Sequence, residues 1–416
     1  MKSNFFSVIA CTNLFHNQTT YSTGNDSSPQ SIAVVDVNND NKPDIVVANH
    51  GTSSVGVLLN AGNGTFLAQT TYSIGATAAP RGLTVADVNN DNQIDIVVAS
   101  TGTNSVGVLL NAGNGTFLAQ TSYSSAGSGA RAVTVTDVNN DNQLDIVVAN
   151  AGTNSVGVLL NRGNGTFLAQ TTYSTGATSV PRGLTVADVN NDNQIDIVVA
   201  NTGTHNVGVL LNAGNGTFLA QTTYTSATSS PRGVTVADVN NDNQIDIVVA
   251  NAGTHNVGVL FNLGNGTFLA QTTYATGASS SPQSISVVDI NSDNKPDIVV
   301  ANSGKHNVGV LLNTGNGTFL APITFSTGTA STPQSVGVVD VNSDNKPDIV
   351  VANSGTNTVG VLFNVGNGTF LAPITFSTGT ASTPQSVGAV DVNNDNKPDI
   401  VVANPGTANV GVFLHC

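Results

Sequence analysis

A nine-residue pattern, Asp-x-Asn-x-Asp-Asn-x-x-Asp, recurs eight times along the 416 residues of this chain. The copies contain all but one of the 25 acidic residues, and Glu does not occur. Carboxylates placed so close together repel one another unless a cation lies among them. Oxygen ligands at alternating positions suit a hard cation, so the pattern predicts about eight bound Ca²⁺ ions.

The predicted metal ligands are the side chains at positions one, three, five and nine of each copy, and the residue at position seven can add its backbone carbonyl. We call these nine-residue segments the carboxylate loops. The predicted ligands are Asp36, Asn38, Asp40, Asp44; Asp87, Asn89, Asp91, Asp95; Asp137, Asn139, Asp141, Asp145; Asp188, Asn190, Asp192, Asp196; Asp238, Asn240, Asp242, Asp246; Asp289, Asn291, Asp293, Asp297; Asp340, Asn342, Asp344, Asp348; and Asp391, Asn393, Asp395, Asp399.

A simpler alternative is that these residues only form hydrogen-bonded Asx turns. That would account for one or two acidic residues in each loop. It leaves unexplained why three occur in every loop of a chain that has almost no other acid.

The loops repeat every 50 or 51 residues, which predicts one closed array rather than several domains. Each repeat holds four short apolar or alternating segments; in the second repeat they are residues 82–87, 95–99, 104–110 and 116–121. Four antiparallel strands per repeat match a propeller blade, and a ring removes exposed sheet edges. The sequence therefore predicts an all-β fold, an eight-bladed β-propeller that occupies residues 11–416 as a single domain.

The two ends of the chain predict how the ring closes. The C-terminus ends on a third strand, and residues 15–21 align with a fourth strand, so the N-terminal strand would complete the last blade. By the same alignment Cys11 and Cys416 fall in one hairpin turn, which predicts a disulfide between them and an extracellular location. Two free thiols are the alternative. Residues 1–10 are expected to be an export-signal remnant or a disordered tail.

The carboxylate loop and its surroundings resemble the FG-GAP and VCBS repeat family, known from the propeller of integrin α subunits. The resemblance rests on the segment from Asp36 to Asn49 and on residues 57–66, and it extends over nearly the whole chain. It implies a calcium-binding β-propeller in which each loop joins the first and second strands of a blade. Position six is Asn here, where such loops usually have Gly, and the Phe-Gly and Gly-Ala-Pro signatures of integrins are absent.

In that fold the ligand platform is the face opposite the loops. Repeats two to five carry an arginine just before the first strand, where the other four repeats carry glutamine. His205, His255 and His306 are expected on the same face. These arginines are candidates for recognising an acidic sugar or a carboxylate, and solvated arginines of a duplicated repeat are the alternative; they are Arg81, Arg131, Arg182 and Arg232.

These observations favour a secreted, monomeric module for binding or adhesion, with a glycan or an extracellular protein as its ligand. A surface scaffold without a discrete ligand is the alternative, and a polysaccharide lyase is disfavoured because the repeats are uniform in length. We expect no enzymatic activity, no transmembrane segment and, with only 11 Lys and Arg, no nucleic-acid partner. Seven Asn-Gly-Thr turns and the sequons at Asn17 and Asn25 are candidate glycosylation sites; the turns are at Asn63, Asn114, Asn164, Asn215, Asn265, Asn316 and Asn367.

Overall fold

The computed structural model describes residues 14–124, 127, 129–226 and 228–416. Within them the chain forms eight four-stranded antiparallel sheets, and the last of these takes its fourth strand from the N-terminal segment. We number these sheets as blades 1 to 8 in the order of their carboxylate loops. Apart from a 3₁₀ turn at Pro405–Thr407, the regular structure of these residues is all β.

In blades 1 to 7 the strands follow one another in space as they do in sequence. The first strands are β2 (Pro29–Val35), β6 (Pro80–Ala86), β10 (Ala130–Thr136), β14 (Pro181–Ala187), β18 (Pro231–Ala237), β22 (Pro282–Val288), β26 (Pro333–Val339) and β32 (Ser386–Val390). The second strands are β3 (Asp44–Asn49), β7 (Asp95–Ser100), β11 (Asp145–Asn150), β15 (Asp196–Asn201), β19 (Asp246–Asn251), β23 (Asp297–Asn302), β27 (Asp348–Asn353) and β33 (Asp399–Asn404).

The third and fourth strands complete the blades towards the outside of the ring. The third strands are β4 (Ser54–Leu58), β8 (Ser105–Leu109), β12 (Ser155–Leu159), β16 (Asn206–Leu210), β20 (Asn256–Leu260), β24 (Asn307–Leu311), β28 (Thr358–Leu362) and β34 (Asn409–Phe413). The fourth strands are β5 (Thr70–Ser73), β9 (Thr121–Ser124), β13 (Thr171–Ser174), β17 (Thr222–Thr225), β21 (Thr272–Ala275), β25 (Ile323–Ser326), β31 (Ile374–Ser377) and β1 (Thr19–Ser22). Blade 7 also has a small hairpin of β29 (Asn364–Gly366) and β30 (Thr369–Phe370).

The first strands of neighbouring blades contact one another all the way round, and β32 contacts β2 to close the ring. This arrangement confirms the predicted eight-bladed β-propeller. The second strands lie between the first and third strands of each sheet and are fully buried. Valine, isoleucine and alanine fill them because both faces of the strand pack against neighbouring blades.

The apolar core consists of layers between adjacent blades rather than one central cluster. In one such layer Val97 and Val106 of blade 2 pack with Ile146 and Val148 of blade 3. An edge-to-face aromatic pair closes the outer part of each junction, as in the pair of Tyr72 and Phe117, whose ring centroids are 5.5 Å apart. Each blade therefore needs its neighbours to bury its own sheet faces.

The N-terminal segment completes blade 8, as the sequence predicts. Strand β1 pairs with β34 in antiparallel register, with Thr19 opposite Val412 and Ser22 opposite Asn409. Phe15 forms a further β-bridge with His415, and its ring packs edge-to-face on Phe376 of blade 7. The Cys416 amide donates to the Leu14 carbonyl at 2.9 Å. Cys11 and the proposed tail of residues 1–10 lie outside the described residues, so the disulfide stays a prediction.

The fourth strand of blade 2 begins later than the sequence predicts. In blade 2 it spans Thr121–Ser124, whereas the segment predicted as a strand was residues 116–121. Phe117 makes only an isolated bridge to Asn111 before the chain crosses to the outer edge. The apolar Phe-Leu-Ala segment suggested a strand by composition, but its Phe is used to cover the neighbouring blade.

We expect Phe15→Ala to lower the free energy of unfolding by about 3–5 kcal/mol, as for other buried phenylalanines. The reason is that Phe15 fills the last junction of the ring and is only 3% exposed. Phe117→Ala, at the equivalent place in an internal blade, is the matched control in chemical unfolding. If Phe15→Ala unfolded with the same free energy as the wild type while Phe117→Ala was destabilised, the N-terminal strand would not close the ring.

Candidate metal loops and ligand face

The carboxylate loops lie between the first and second strands of every blade, as predicted, at one end of the ring. In blade 2 the loop follows β6 and leads into β7, which begins at the ninth-position residue, Asp95. The turns between third and fourth strands lie at the same end, because the strands are antiparallel. We call this end the loop face.

A set of Asx turns folds each loop. In blade 2 the Asp87 carboxylate accepts the amides of Asp91 at 3.1 Å and Asn92 at 2.7 Å. Asp91 in turn accepts the amide of Gln93 at 2.8 Å. Left-handed backbone at Asn90 (φ 58°) and Asn92 (φ 62°) allows the tight path, and Asn tolerates this conformation better than most residues. Asn at position six therefore adopts the left-handed conformation for which such loops usually have Gly.

The ninth-position aspartate is the buried anchor of each loop. Asp95 is 0% exposed, and its two carboxylate oxygens accept the amides of Val88 at 2.9 Å and Asn111 at 2.7 Å. The pKa of Asp95 is raised to about 6, mainly because the carboxyl group is buried. The two backbone hydrogen bonds lower this pKa, and the negative charges of Asp91 and Asp87 raise it. The pKa of each of the seven equivalent aspartates is also raised to about 6, and burial is again the main cause.

In blades 1 to 7 a buried asparagine just after the third strand ties neighbouring loops together, a role that the sequence pattern did not reveal. Besides the amide bond to Asp95, Asn111 donates its side-chain amide to the Ile94 carbonyl at 2.9 Å and to the Val37 carbonyl in the loop of blade 1 at 2.6 Å. We call these residues the asparagine clamps; they are Asn60, Asn111, Asn161, Asn212, Asn262, Asn313 and Asn364. In blade 8 the amide of His415 binds Asp399 at 2.6 Å.

The donors of each loop fit a hard cation in their chemistry, since all are carboxylate, amide or carbonyl oxygens. Some of these oxygens keep a lone pair free, such as Oδ2 of Asp87, which accepts the amide of Asn92, whereas Oδ1 of Asp87 accepts two amides. Nowhere among the described residues do three His, Cys, Asp or Glu side chains converge as a ready metal group. The loops thus form the Asx turns of the simpler alternative, and the 32 predicted metal ligands stay a prediction.

The arginines lie at the opposite end of the first strands, which we call the arginine face. Each sits at an irregularity in the pairing of its first strand, as between Pro80 and Gly82, and such bulges redirect a side chain. Burial, followed by the nearby Arg182, Arg81 and Arg232, lowers the pKa of Arg131 to about 10. Arg131 is therefore close enough to the other three guanidinium groups for their positive charges to affect its pKa. We call these four residues the arginine arc.

A pocket of about 310 Å³ opens between blades 2 and 3 within the arginine arc. Arg81 and Arg131 line it, and Gly129, Ala151 and Gly152 contribute small residues. Among the described residues the ion pairs all join a Lys to an Asp, so no ion pair neutralises this arc. Arg232 donates to Gln283 at 2.6 Å, whereas Nε of Arg182 is buried without a partner in the described part of the chain.

The three histidines are also on the arginine face, and there they act as junction contacts. Nδ1 of His255 accepts the backbone amide of Ser281, in the lead-in to blade 6, at 3.2 Å. His205 and His306 accept the amides of Ser230 and Thr332 in the same way. Asn154 and Asn357 make the equivalent contact in other blades. The histidines belong to separate junctions and do not form a common site among the described residues.

The raised pKa of the ninth-position aspartates predicts a pH dependence of the metal-free protein. Between about pH 4 and 6 the folded state holds more protons on these groups than the unfolded state, so the free energy of unfolding falls as pH rises through this window. In a chelating buffer we expect the melting temperature to increase when pH is lowered from 7 to 5. A melting temperature that falls throughout this range would contradict the effect.

Comparisons with known proteins agree with this geometry. Solved structures similar to the chain include a lectin from Agrocybe aegerita that recognises non-reducing terminal N-acetylglucosamine, with 21% identity and a TM-score of 0.55 over 91% of this chain and 100% of that one. Virginiamycin B lyase from Staphylococcus aureus matches with 14% identity and a TM-score of 0.53, covering 81% of this chain and 95% of the lyase. At these identities the likeness shows the fold alone.

A putative 6-phosphogluconolactonase from Bacteroides fragilis is similar at 16% identity, with a TM-score of 0.53 over 85% of this chain and 97% of that one. A search of curated proteins found no match to the sequence. The model of the FG-GAP-like repeat matches seven overlapping segments, at residues 36–98, 87–148, 137–199, 188–249, 238–300, 289–351 and 340–402. Each segment runs from one carboxylate loop past the start of the next, so the chain belongs to the FG-GAP-like repeat family.

Proposed function

We propose that the chain is an extracellular, calcium-binding β-propeller that binds an anionic ligand, such as an acidic glycan, through its arginine face. The observation that carries the proposal is the arginine arc. It places positive charge around a pocket on a chain that has only 11 Lys and Arg residues. Arginine is suited to such a ligand because its planar fork of donors matches a carboxylate.

Calcium has a structural role in this proposal. When bound, the ion supplies the counter-charge that each group of three aspartates lacks. The ligands in blade 2 are Asp87, Asn89, Asp91 and Asp95, with the Gln93 carbonyl, and the other blades use the equivalent residues. Through the asparagine clamps, order in one loop supports the next blade and, with it, the shape of the arginine face.

The lectin from Agrocybe aegerita gives this fold a precedent as a sugar-binding module. The uniform repeats of this chain leave no inserted loops to carry catalytic groups, so we propose a binding protein and not an enzyme. A surface scaffold without a discrete ligand is the second candidate, favoured by the near-identity of the repeats. The exposed Asn-Gly-Thr turns on the loop face would be glycosylated in a eukaryotic secretory pathway.

We expect the double variant Arg131→Gln and Arg182→Gln to weaken binding to acidic glycans at least tenfold, because each lost charge-assisted contact contributes about 1.5–3 kcal/mol. Glutamine occupies the same place in four other blades, so the fold is preserved. The measurement is an array of sialylated, uronic-acid-containing and neutral glycans, probed with and without calcium.

Arg162→Gln is the control, since Arg162 is exposed on a turn of the loop face. Chelation of calcium is expected to lower the melting temperature and the acidic-glycan signal together. Equal signals from the wild type and the double variant would rule out recognition by these arginines. A wild type that binds no glycan on the array would favour the scaffold.

The disulfide between Cys11 and Cys416 is part of the extracellular proposal. We expect the unreduced, denatured chain to show no reactive thiol, and two after reduction. Closing so long a loop should stabilise the native state by roughly 5–6 kcal/mol in the chain-entropy model, so reduction should lower the melting temperature. Two reactive thiols without reduction would exclude the bond.

A further inference from the structure

The eight carboxylate loops differ at position seven, and this difference divides the blades into two groups. Blades 2 to 5 carry a glutamine there, and the other four blades carry a lysine. The glutamines are Gln93, Gln143, Gln194 and Gln244, and the lysines are Lys42, Lys295, Lys346 and Lys397.

Three of the lysines place their ammonium group on a carboxylate of their own loop. Nζ of Lys42 lies 3.1 Å from Oδ2 of Asp40, and Lys295 makes the same contact with Asp293 at 3.1 Å. Lys346 lies 3.3 Å from Asp344. In each case the contacted oxygen belongs to the fifth position of the loop, a proposed cation ligand.

The fifth-position carboxylate has a neutral partner in the other five blades. In blade 2 the side-chain amide of Asn89 donates to Oδ2 of Asp91 at 2.9 Å. Blades 3, 4 and 5 repeat this bond at 2.9 Å, and blade 8 at 3.2 Å. Blade 8 keeps it because Lys397 donates to the Cys416 carbonyl instead.

Glutamine and lysine also differ in the hydrogen bonds that they can form with the preceding blade. The Gln93 side-chain oxygen accepts the Asn39 side chain of blade 1 at 2.9 Å, and Gln143 accepts Asn90 at 2.6 Å. Lysine is only a donor, so it cannot accept such a bond. The loops of blades 2, 3 and 5 are thereby held by a side-chain bridge from their neighbour, the last through Asn191 and Gln244.

We propose that the eight calcium sites form two affinity classes, with three weaker sites in blades 1, 6 and 7 and five tighter sites in the remaining blades. This ranking rests on the calcium sites of the proposed function. Calcium affinity follows the ligand charge and the rigidity of the site. An ammonium group beside the fifth-position carboxylate lowers the net negative charge of the loop and must move away from the arriving cation. A like charge a few ångströms from a divalent ion weakens binding roughly tenfold even in water.

Calorimetric titration of the chelator-stripped protein with calcium chloride at low salt tests the ranking. We expect five tighter and three weaker sites, about tenfold apart, and a smaller gap at high salt, where exposed charges are screened. The triple variant Lys42→Gln, Lys295→Gln and Lys346→Gln should bring the three weaker sites to the affinity of the others. Lys305→Gln, an exposed residue at the opposite end of blade 6, should change nothing.

Melting temperature gives a second readout that a purely structural lysine would not produce. In chelator the triple variant should melt lower than the wild type, because each lysine neutralises a carboxylate there. In saturating calcium the variant should melt higher. Eight sites of equal affinity in the wild type, or a triple variant whose titration matches that of the wild type, would overturn the two affinity classes but not the calcium sites. If neither the wild type nor any variant showed a heat of calcium binding in the calorimetric titration, the calcium sites would be overturned as well.

Discussion

One buried carboxylate in each repeat, the ninth-position aspartate, holds three parts of the propeller together. In blade 2 the two oxygens of Asp95 receive one amide from the start of the loop and one from the end of the third strand. The residue that supplies the second amide, Asn111, then reaches the neighbouring loop. An ionised group in this position is costly when buried without full compensation, and its pKa of about 6 reflects that cost. The stability of the ring therefore depends on how its charge is balanced.

Because each apolar layer lies between two blades, the ring has no independently packed unit. Closure through the N-terminal strand gives the first and last blades the same neighbours as the others. The repeated contacts across each junction, namely the aromatic pair, the asparagine clamp and the acceptor at positions such as His255 and Asn154, all join one blade to the next. Near-identity of the repeats is explained by this geometry, since a blade must complement two neighbours at once.

The differences in charged side chains between repeats lie at the two ends of the ring, outside its apolar layers. Blades 2 to 5 combine arginine on one face with glutamine in the carboxylate loop, whereas blades 1, 6, 7 and 8 combine glutamine with lysine. Both exchanges change charge and leave the strands unaltered. The arginine pocket and the lysine-paired loops are therefore features of particular blades placed on a common scaffold, and they are where this chain departs from a simple repeat.

The sequence by itself determined the period, the blade count, the position of the carboxylate loops between first and second strands, and closure by the N-terminal strand, because each is a local pattern repeated eight times. It did not locate the fourth strand of blade 2, since the segment around Phe117 has strand-like composition but packs against a neighbouring blade. Nor did it identify the asparagine clamps, although the Asn that ends each Val-Leu-Leu-Asn or Val-Leu-Phe-Asn segment is a visible signal. Only the tertiary structure decided these roles, and it also brought Arg81 and Arg131 to one pocket. The physical reason is that all of them are contacts between blades, whose partners lie about one repeat or more apart in the chain.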